Sequence, residues 1–201
     1  DFNRYPDPHH HDLRQKIEEL KGIDKDQLLL GNGSDEVIDL LIRTFCRSGQ
    51  DGIISITPTY GMYEVVADIN QVKLTKVALT DDFQPDTDQI LSSVNDHTKI
   101  IFLCSPNNPT GNSLEPARIL ELLEKFRGLV VLDEAYVDFS IQPSMVNLLD
   151  EHQNLVLMQT FSKAYGLAGL RLGMLIAHQP IIQYINKLKP PYNLNRFTQD
   201  K

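Results

Sequence analysis

The chain has 201 residues, 41% hydrophobic and 23% charged, which suits one globular domain or one large and one small. Its formal net charge of −8 argues against a nucleic-acid or anionic-membrane surface, and no apolar run reaches bilayer-spanning length. Cys46 and Cys104 sit in apolar surroundings and read as reduced, buried small residues of a cytosolic protein, not as a disulfide scaffold.

In chain order, residues 1–9 carry Pro6 and Pro8 and read as an extended N-terminal segment. Asp12 is placed to cap a helix with Leu13, Ile17 and Leu20 on one face, ended by Gly22. A short strand at 27–30 runs into Gly31-Asn-Gly33, and Ser34 or Asp35 caps an apolar helix through Phe45. Strands follow at 53–56, 72–78, 99–104 and 129–132, and helices at 60–69, 86–93 and 115–126. After a short helix at 145–149 comes the apolar run Leu155-Val156-Leu157-Met158, then a strand at 172–177 and a helix at 180–188 with Pro180 in its first turn. Strands alternating with helices predict an α/β fold with three layers, α/β/α, around a mostly parallel mixed sheet. Continuous apolar strands such as 100–103 suit a sheet buried on both faces.

The stretch Thr160 to Gly173 carries the chemistry. Lys163 follows a buried strand and is flanked by Thr160 and Ser162, with Arg171 eight residues further on. Partial desolvation beside a cation would free such an amine as a nucleophile for a carbonyl compound. Thr160, Ser162 and the planar fork of Arg171 supply donors for a phosphate dianion. An imine-forming lysine beside a phosphate cradle points to pyridoxal 5′-phosphate (PLP). Ser-x-Lys alone is an ordinary loop sequence, so the argument rests on the company it keeps. Gly31-Asn-Gly-Ser-Asp-Glu36 can present the N–H groups of Ser34 and Asp35 at a helix N-terminus, a natural phosphate site, and fits neither the Walker nor the dinucleotide pattern. Asp133 ends an apolar strand, a costly position for a charge without a partner. Gly31–Glu36, Tyr60, Asn108, Asp133 and Lys163 each begin within five residues of the end of a predicted strand. Ligands of such sheets bind beyond that end of the strands.

The segment around Lys163 resembles the lysine region of fold-type I PLP enzymes of the aspartate aminotransferase superfamily. Ser105-Pro-Asn-Asn-Pro-Thr-Gly111, Val131-Leu-Asp-Glu-Ala-Tyr136 and Gly31–Glu36 match the same pattern in the same order. Asn3-Arg-Tyr-Pro-Asp7 and Thr57-Pro-Thr-Tyr-Gly-Met-Tyr63 are similar to the histidinol-phosphate aminotransferase branch. The resemblance spans essentially the whole chain. It implies Lys163 as the imine-forming catalytic residue, Asp133 beside the pyridine nitrogen, and Asn108 and Tyr136 at the phenolic oxygen. It also implies Tyr60 stacked on the ring, Ser34, Asp35, Thr160, Ser162 and Arg171 around the phosphate, and Tyr5 reaching the cofactor of a neighbouring subunit in a homodimer. The implied reaction is transamination of L-histidinol phosphate with 2-oxoglutarate, with no metal, nucleic-acid or membrane partner.

Family members are longer at both ends, so residues 10–201 read as the PLP-binding large domain, with the small domain and its substrate-carboxylate clamp largely outside this chain. Threonine-phosphate decarboxylases and aromatic aminotransferases share the cofactor residues, and a non-catalytic PLP-fold sensing module is the alternative from another class. Among the remaining polar residues, His9, His10 and His11 are expected in a solvated loop, and His97, His152 and His178 lack zinc-like spacing.

Overall fold

The computed structural model describes residues 3–200. Seven strands, β1 (Leu28–Asn32), β2 (Gly52–Thr57), β3 (Lys73–Ala78), β4 (Thr98–Cys104), β5 (Leu129–Asp133), β6 (Leu155–Thr160) and β7 (Leu172–Ala177), form one sheet in the order β1-β7-β6-β5-β4-β2-β3. The pairs from β3 through β6 are parallel, while β7 lies antiparallel between β6 and β1. The carboxyl ends of β1, β2, β4, β5 and β6 therefore share one edge with the start of β7. Asn32 pairs with Leu172, Thr160 with Gly173, and Cys104 with Asp133.

Period-2 alternation divides the apolar strands between two cores. Ile101, Leu103, Leu132 and Leu157 face α1 (His11–Lys21), α4 (Thr87–Ser92) and α5 (Pro116–Lys125). Ile100, Phe102, Val131 and Val156 face α2 (Ser34–Phe45), α3 (Met62–Ile69) and α6 (Gln179–Asn186). Each is essentially fully buried, and each contributes about 1.5–3 kcal/mol of apolar burial. Both faces of the sheet are covered, as the unbroken apolar strands predict.

The helix starts differ from expectation. Helix α1 begins at His11, not after a cap at Asp12, because the Asp7 carboxylate accepts the N–H groups of His9 (2.9 Å) and His11 (2.7 Å). His10 then sits at the N-cap in a left-handed conformation, φ 53°, and is buried, not solvated. Burial, with Lys189 close by, pulls its imidazole pKa down to about 4. Gly33, not Ser34 or Asp35, is the N-cap of α2. Cys104 is buried as expected, whereas Cys46 is only half-buried. A short helix α7 (Arg196–Asp200) has no apolar signature in the sequence; Thr198 and Gln199 bury polar side chains there by bonding the carbonyls of Leu170, Asp7 and Leu194.

Candidate active site

The shared strand edge opens into a cleft of about 150 Å³ lined by Ser34, Asp35, Tyr60, Cys104, Asn108, Asp133, Ala135, Tyr136, Thr160, Ser162, Lys163 and Arg171. Every site residue anticipated from the sequence lies on it except Tyr5.

Asp133 is the last residue of β5 and is 3% exposed. Its carboxylate accepts the Tyr63 hydroxyl at 2.7 Å on Oδ2 and the Ala135 N–H at 3.0 Å on Oδ1. Burial raises its pKa to about 6 against the lowering effect of those two donors, and the charges of Glu134 and Asp35 push the same way as burial. No lysine, arginine or histidine of the described residues forms an ion pair with it. Burial and Asp133 together push the neighbouring Cys104 thiol up to about 12, so it is an inert wall of the cleft, not a nucleophile.

Opposite Asp133 the cleft is built for an anion. The N-terminus of α2 opens onto it, and the helix dipole and free N–H groups there favour negative charge. Gly33 has φ 83°, and a Cβ on it would lie 2.3 Å from Arg171 Nη2, so the guanidinium lies directly over the cap. A Cβ on Gly173 would lie 2.6 Å from Ser34 N, which shows how closely β7 packs against that terminus. Arg171 holds a left-handed φ of 53° between the short 3-10 turn Ala168–Leu170 and β7, an uncommon conformation of the kind found at ligand clamps. Asp35 Oδ2 lies 3.9 Å from Arg171 Nη2. The Ser162 Oγ is buried and has no hydrogen-bond partner among the described residues, an uncommon state that a bound acceptor in the cleft would relieve. Thr160 shapes the turn: its hydroxyl donates to Leu172 O at 3.3 Å and accepts from Ser162 N at 3.1 Å.

Between these two ends stand Lys163, Tyr136, Tyr60 and Asn108. Lys163 is exposed, not partly desolvated as expected, and its Nζ lies 5.3 Å from the centroid of the Tyr136 ring. The Tyr60 hydroxyl donates to Asp35 Oδ1 at 2.9 Å, and burial together with Asp35 pushes that phenol up to about 12. Asn108 is held at the rim by its neighbour. Asn107 Nδ2 donates to Pro58 O (3.0 Å) and Thr110 Oγ1 (2.8 Å), and its Oδ1 accepts from Thr59 at 2.7 Å. Tyr5 is 76% exposed and stacks on Tyr192 at 4.4 Å, away from this chain's own cleft. Asn107 and Tyr63 are not among the residues singled out by the sequence, although both lie inside its motifs. A polar residue in a motif that faces the core is the signal that could have found them.

The model of the aminotransferases of class I and II matches residues 1–200. The chain belongs to that family. It is 54% identical over 199 residues to the histidinol-phosphate aminotransferase of Flavobacterium johnsoniae, covering 99% of this chain and 57% of that one. The enzyme of the same name from Parabacteroides distasonis is 51% identical, with 100% and 58% covered. Among solved structures, the histidinol-phosphate aminotransferase of Sinorhizobium meliloti, determined in complex with pyridoxal-5′-phosphate, superposes with a TM-score of 0.90 at 25% identity, covering 99% of this chain and 55% of that one. The Clostridium acetobutylicum enzyme gives 0.87 at 26%, with 98% and 59% covered. This aminotransferase chain thus spans a little under three-fifths of the length of the curated relatives it matches. No described helix is long and apolar enough to cross a membrane, and no described group of three or more His, Cys, Asp or Glu could hold a metal ion.

Proposed function

We propose that residues 10–201 form the cofactor-binding domain of a PLP-dependent aminotransferase acting on L-histidinol phosphate with 2-oxoglutarate in histidine biosynthesis. The observation that carries this reading is the polarity of the cleft. A buried carboxylate without a cation stands at one end, an anion cradle with an orphaned hydroxyl at the other, and a primary amine lies between them. Such a site fits a molecule with a basic ring nitrogen, an aldehyde and a phosphate. The names of the relatives support histidinol phosphate as the amino donor.

Bound there, PLP supplies an electron sink that acidifies the Cα–H of an amino substrate. Asp133, through its carboxylate, would hold a proton at the ring nitrogen. Arg171, Ser162 and the N–H groups opening α2 would bind the phosphate, as charge-assisted donors at a helix N-terminus do. Lys163 Nζ would anchor the cofactor and then, once free, take the proton from the substrate Cα as general base. Asn108 and Tyr136 would donate to the phenolic oxygen, and Tyr60 would cover one ring face. Tyr5, standing on the surface, would reach the phosphate of a second copy in a cytoplasmic homodimer with shared sites.

The test is the ultraviolet–visible spectrum of the purified protein with added PLP, recorded beside Lys163→Ala. An absorbance band formed by the wild type and absent from the variant, and consumed when L-histidinol phosphate is added, is the expected result. A band of equal strength in both proteins would overturn the assignment of Lys163. A band unmoved by histidinol phosphate but consumed by another amino acid would overturn the substrate.

A further inference from the structure

We infer that Tyr63, a residue outside the cleft, is the positioning residue that orients the Asp133 carboxylate and braces the Tyr60 ring from beneath. This rests on the reading of the cleft as a cofactor site, and concerns how its deep end is held. Tyr63 lies in the first turn of α3, is 1% exposed, and is among the largest fully buried side chains of the protein. Its ring stacks on Phe102 of β4 at 4.8 Å with 19° between planes, and meets the Tyr60 ring edge-on at 5.7 Å and 83°. Packed on one side by a strand and on another by Tyr60, the ring has little freedom, so its hydroxyl is aimed before any ligand arrives. That hydroxyl donates to Asp133 Oδ2 at 2.7 Å, across 70 residues of sequence.

A phenol in apolar surroundings is normally a strand or helix residue whose hydroxyl reaches water or a backbone carbonyl. Here it takes one oxygen of a carboxylate whose other oxygen accepts the Ala135 N–H. Both oxygens are thereby fixed, and the free lone pairs point in a direction set by two donors on separate elements. A mobile carboxylate could turn away from a ring nitrogen; this one is held. The same donor favours the ionised form, against burial. Facing Asp133 are Tyr63 from α3, Cys104 from β4, Glu134 next in chain, Asp35 from α2 and the Tyr60 phenol, and among the described residues Tyr63 is the side chain that hydrogen-bonds the carboxylate. Burial and Asp133 hold the Tyr63 phenol protonated far above neutral pH, so it stays a donor throughout the working range.

The experiment uses Tyr63→Phe, which keeps the ring and its stacking and removes one oxygen. Carbon-13 NMR of aspartate carboxyls, with Asp133→Asn identifying the signal, follows the titration in cofactor-free protein. The Asp133 midpoint is expected to rise by about one pH unit in Tyr63→Phe, the shift that loss of one hydrogen bond to a charged group produces. In the wild type, the Tyr63 Cζ resonance is expected to move at the Asp133 midpoint, and to stop doing so in Asp133→Asn. An unmoved Asp133 midpoint in a folded Tyr63→Phe protein would overturn the inference, as would a Tyr63 resonance blind to Asp133. With PLP, the inference predicts about a tenfold loss of kcat at unchanged KM. Failure of the wild type to form its PLP band would sink the reading of the cleft instead, whatever the Asp133 titration showed.

Discussion

Two buried aspartates stand at opposite ends of the parallel strands and are treated in opposite ways. Asp51, just ahead of β2 at the amino end, is 2% exposed and lies among basic side chains. Arg47 grips it with Nε at 2.9 Å and Nη2 at 3.0 Å, its backbone N–H adds a third bond at 2.8 Å, and His97 and Lys99 lie at 3.5 and 3.9 Å. Its pKa falls well below the usual carboxylate range, chiefly through the Arg47 hydrogen bonds. Asp133, at the carboxyl end, is as deeply buried and, among the described residues, receives two neutral donors. A buried carboxylate that no described cation neutralises, in a cleft, is what the cofactor site proposed above requires of Asp133. The same edge carries the anion cradle, so function and structural charge are segregated to opposite ends of the sheet.

Removing each charge separates the two cases, and Asp133→Asn gives the larger effect. Turnover is expected to fall on the order of 100-fold or more, the consequence of removing one partner of a buried charge pair worth roughly 3 kcal/mol or more. Stability of the cofactor-free protein should change in the other direction. The folded-state pKa of Asp133 is raised from 3.8 to about 6, so the folded state holds that proton more tightly than the unfolded chain. Stability is therefore lost as pH rises from about 4 through 6, by up to about 3 kcal/mol. Asp133→Asn should match the wild type in urea unfolding at pH 4 and exceed it at pH 7. Parallel pH profiles for the two proteins would show that the carboxylate is not strained by its burial.

Asp51→Asn should do the reverse, with a smaller effect and little change in turnover. Loss of charge-assisted hydrogen bonds to Arg47 is expected to cost roughly 2 kcal/mol at pH 7. Because the folded-state pKa of Asp51 is lowered, its contribution is complete above about pH 4 and declines as pH falls toward the folded-state value. The gap between variant and wild type should therefore narrow in acid. A gap that widens in acid would assign the stabilisation to something other than this carboxylate.

What the sequence could and could not reveal follows the same geometry. Strand positions were legible because apolar β-branched runs such as Thr98–Cys104 and Leu129–Asp133 have no good alternative to burial between two layers. Ser34, Asp35, Asn108, Asp133 and Lys163 could be gathered at one edge because each follows a strand. The reversed direction of β7 was not legible, since a strand of six buried residues carries no mark of its sense. Its reversal brings Arg171, at the start of β7, to the edge where the other strands end. The pairing of Tyr63 with Asp133 depends on how α3 lies across the sheet, which no local pattern encodes. The same applies to His10, which is buried at the N-cap of α1 although the residues beside it in sequence are polar.

The anion end offers the finest test of how tightly the edge is built. Gly33→Ala places a methyl group where Arg171 Nη2 now lies, 2.3 Å away, and imposes a left-handed φ of 83° on a residue with a Cβ. With ψ at 167°, that backbone region is essentially reserved for glycine and costs a residue with a Cβ about 1–3 kcal/mol. The guanidinium, being the free end of a long side chain, should swing off the α2 N-terminus without disturbing the sheet. Affinity for PLP measured by fluorescence is then expected to drop about tenfold, roughly 1.4 kcal/mol, the value of a charge-assisted bond to phosphate. Arg171→Ala should produce a similar drop with no loss of stability from Gly33. Combining the two distinguishes displacement of the arginine from distortion of the cap. If Gly33→Ala acts by moving Arg171, it should weaken binding no further in the Arg171→Ala background, because the group it displaces is already gone. A second tenfold loss in the double variant would mean that Gly33→Ala acts by distorting the cap, and that the backbone N–H groups opening α2 hold the phosphate independently of the arginine.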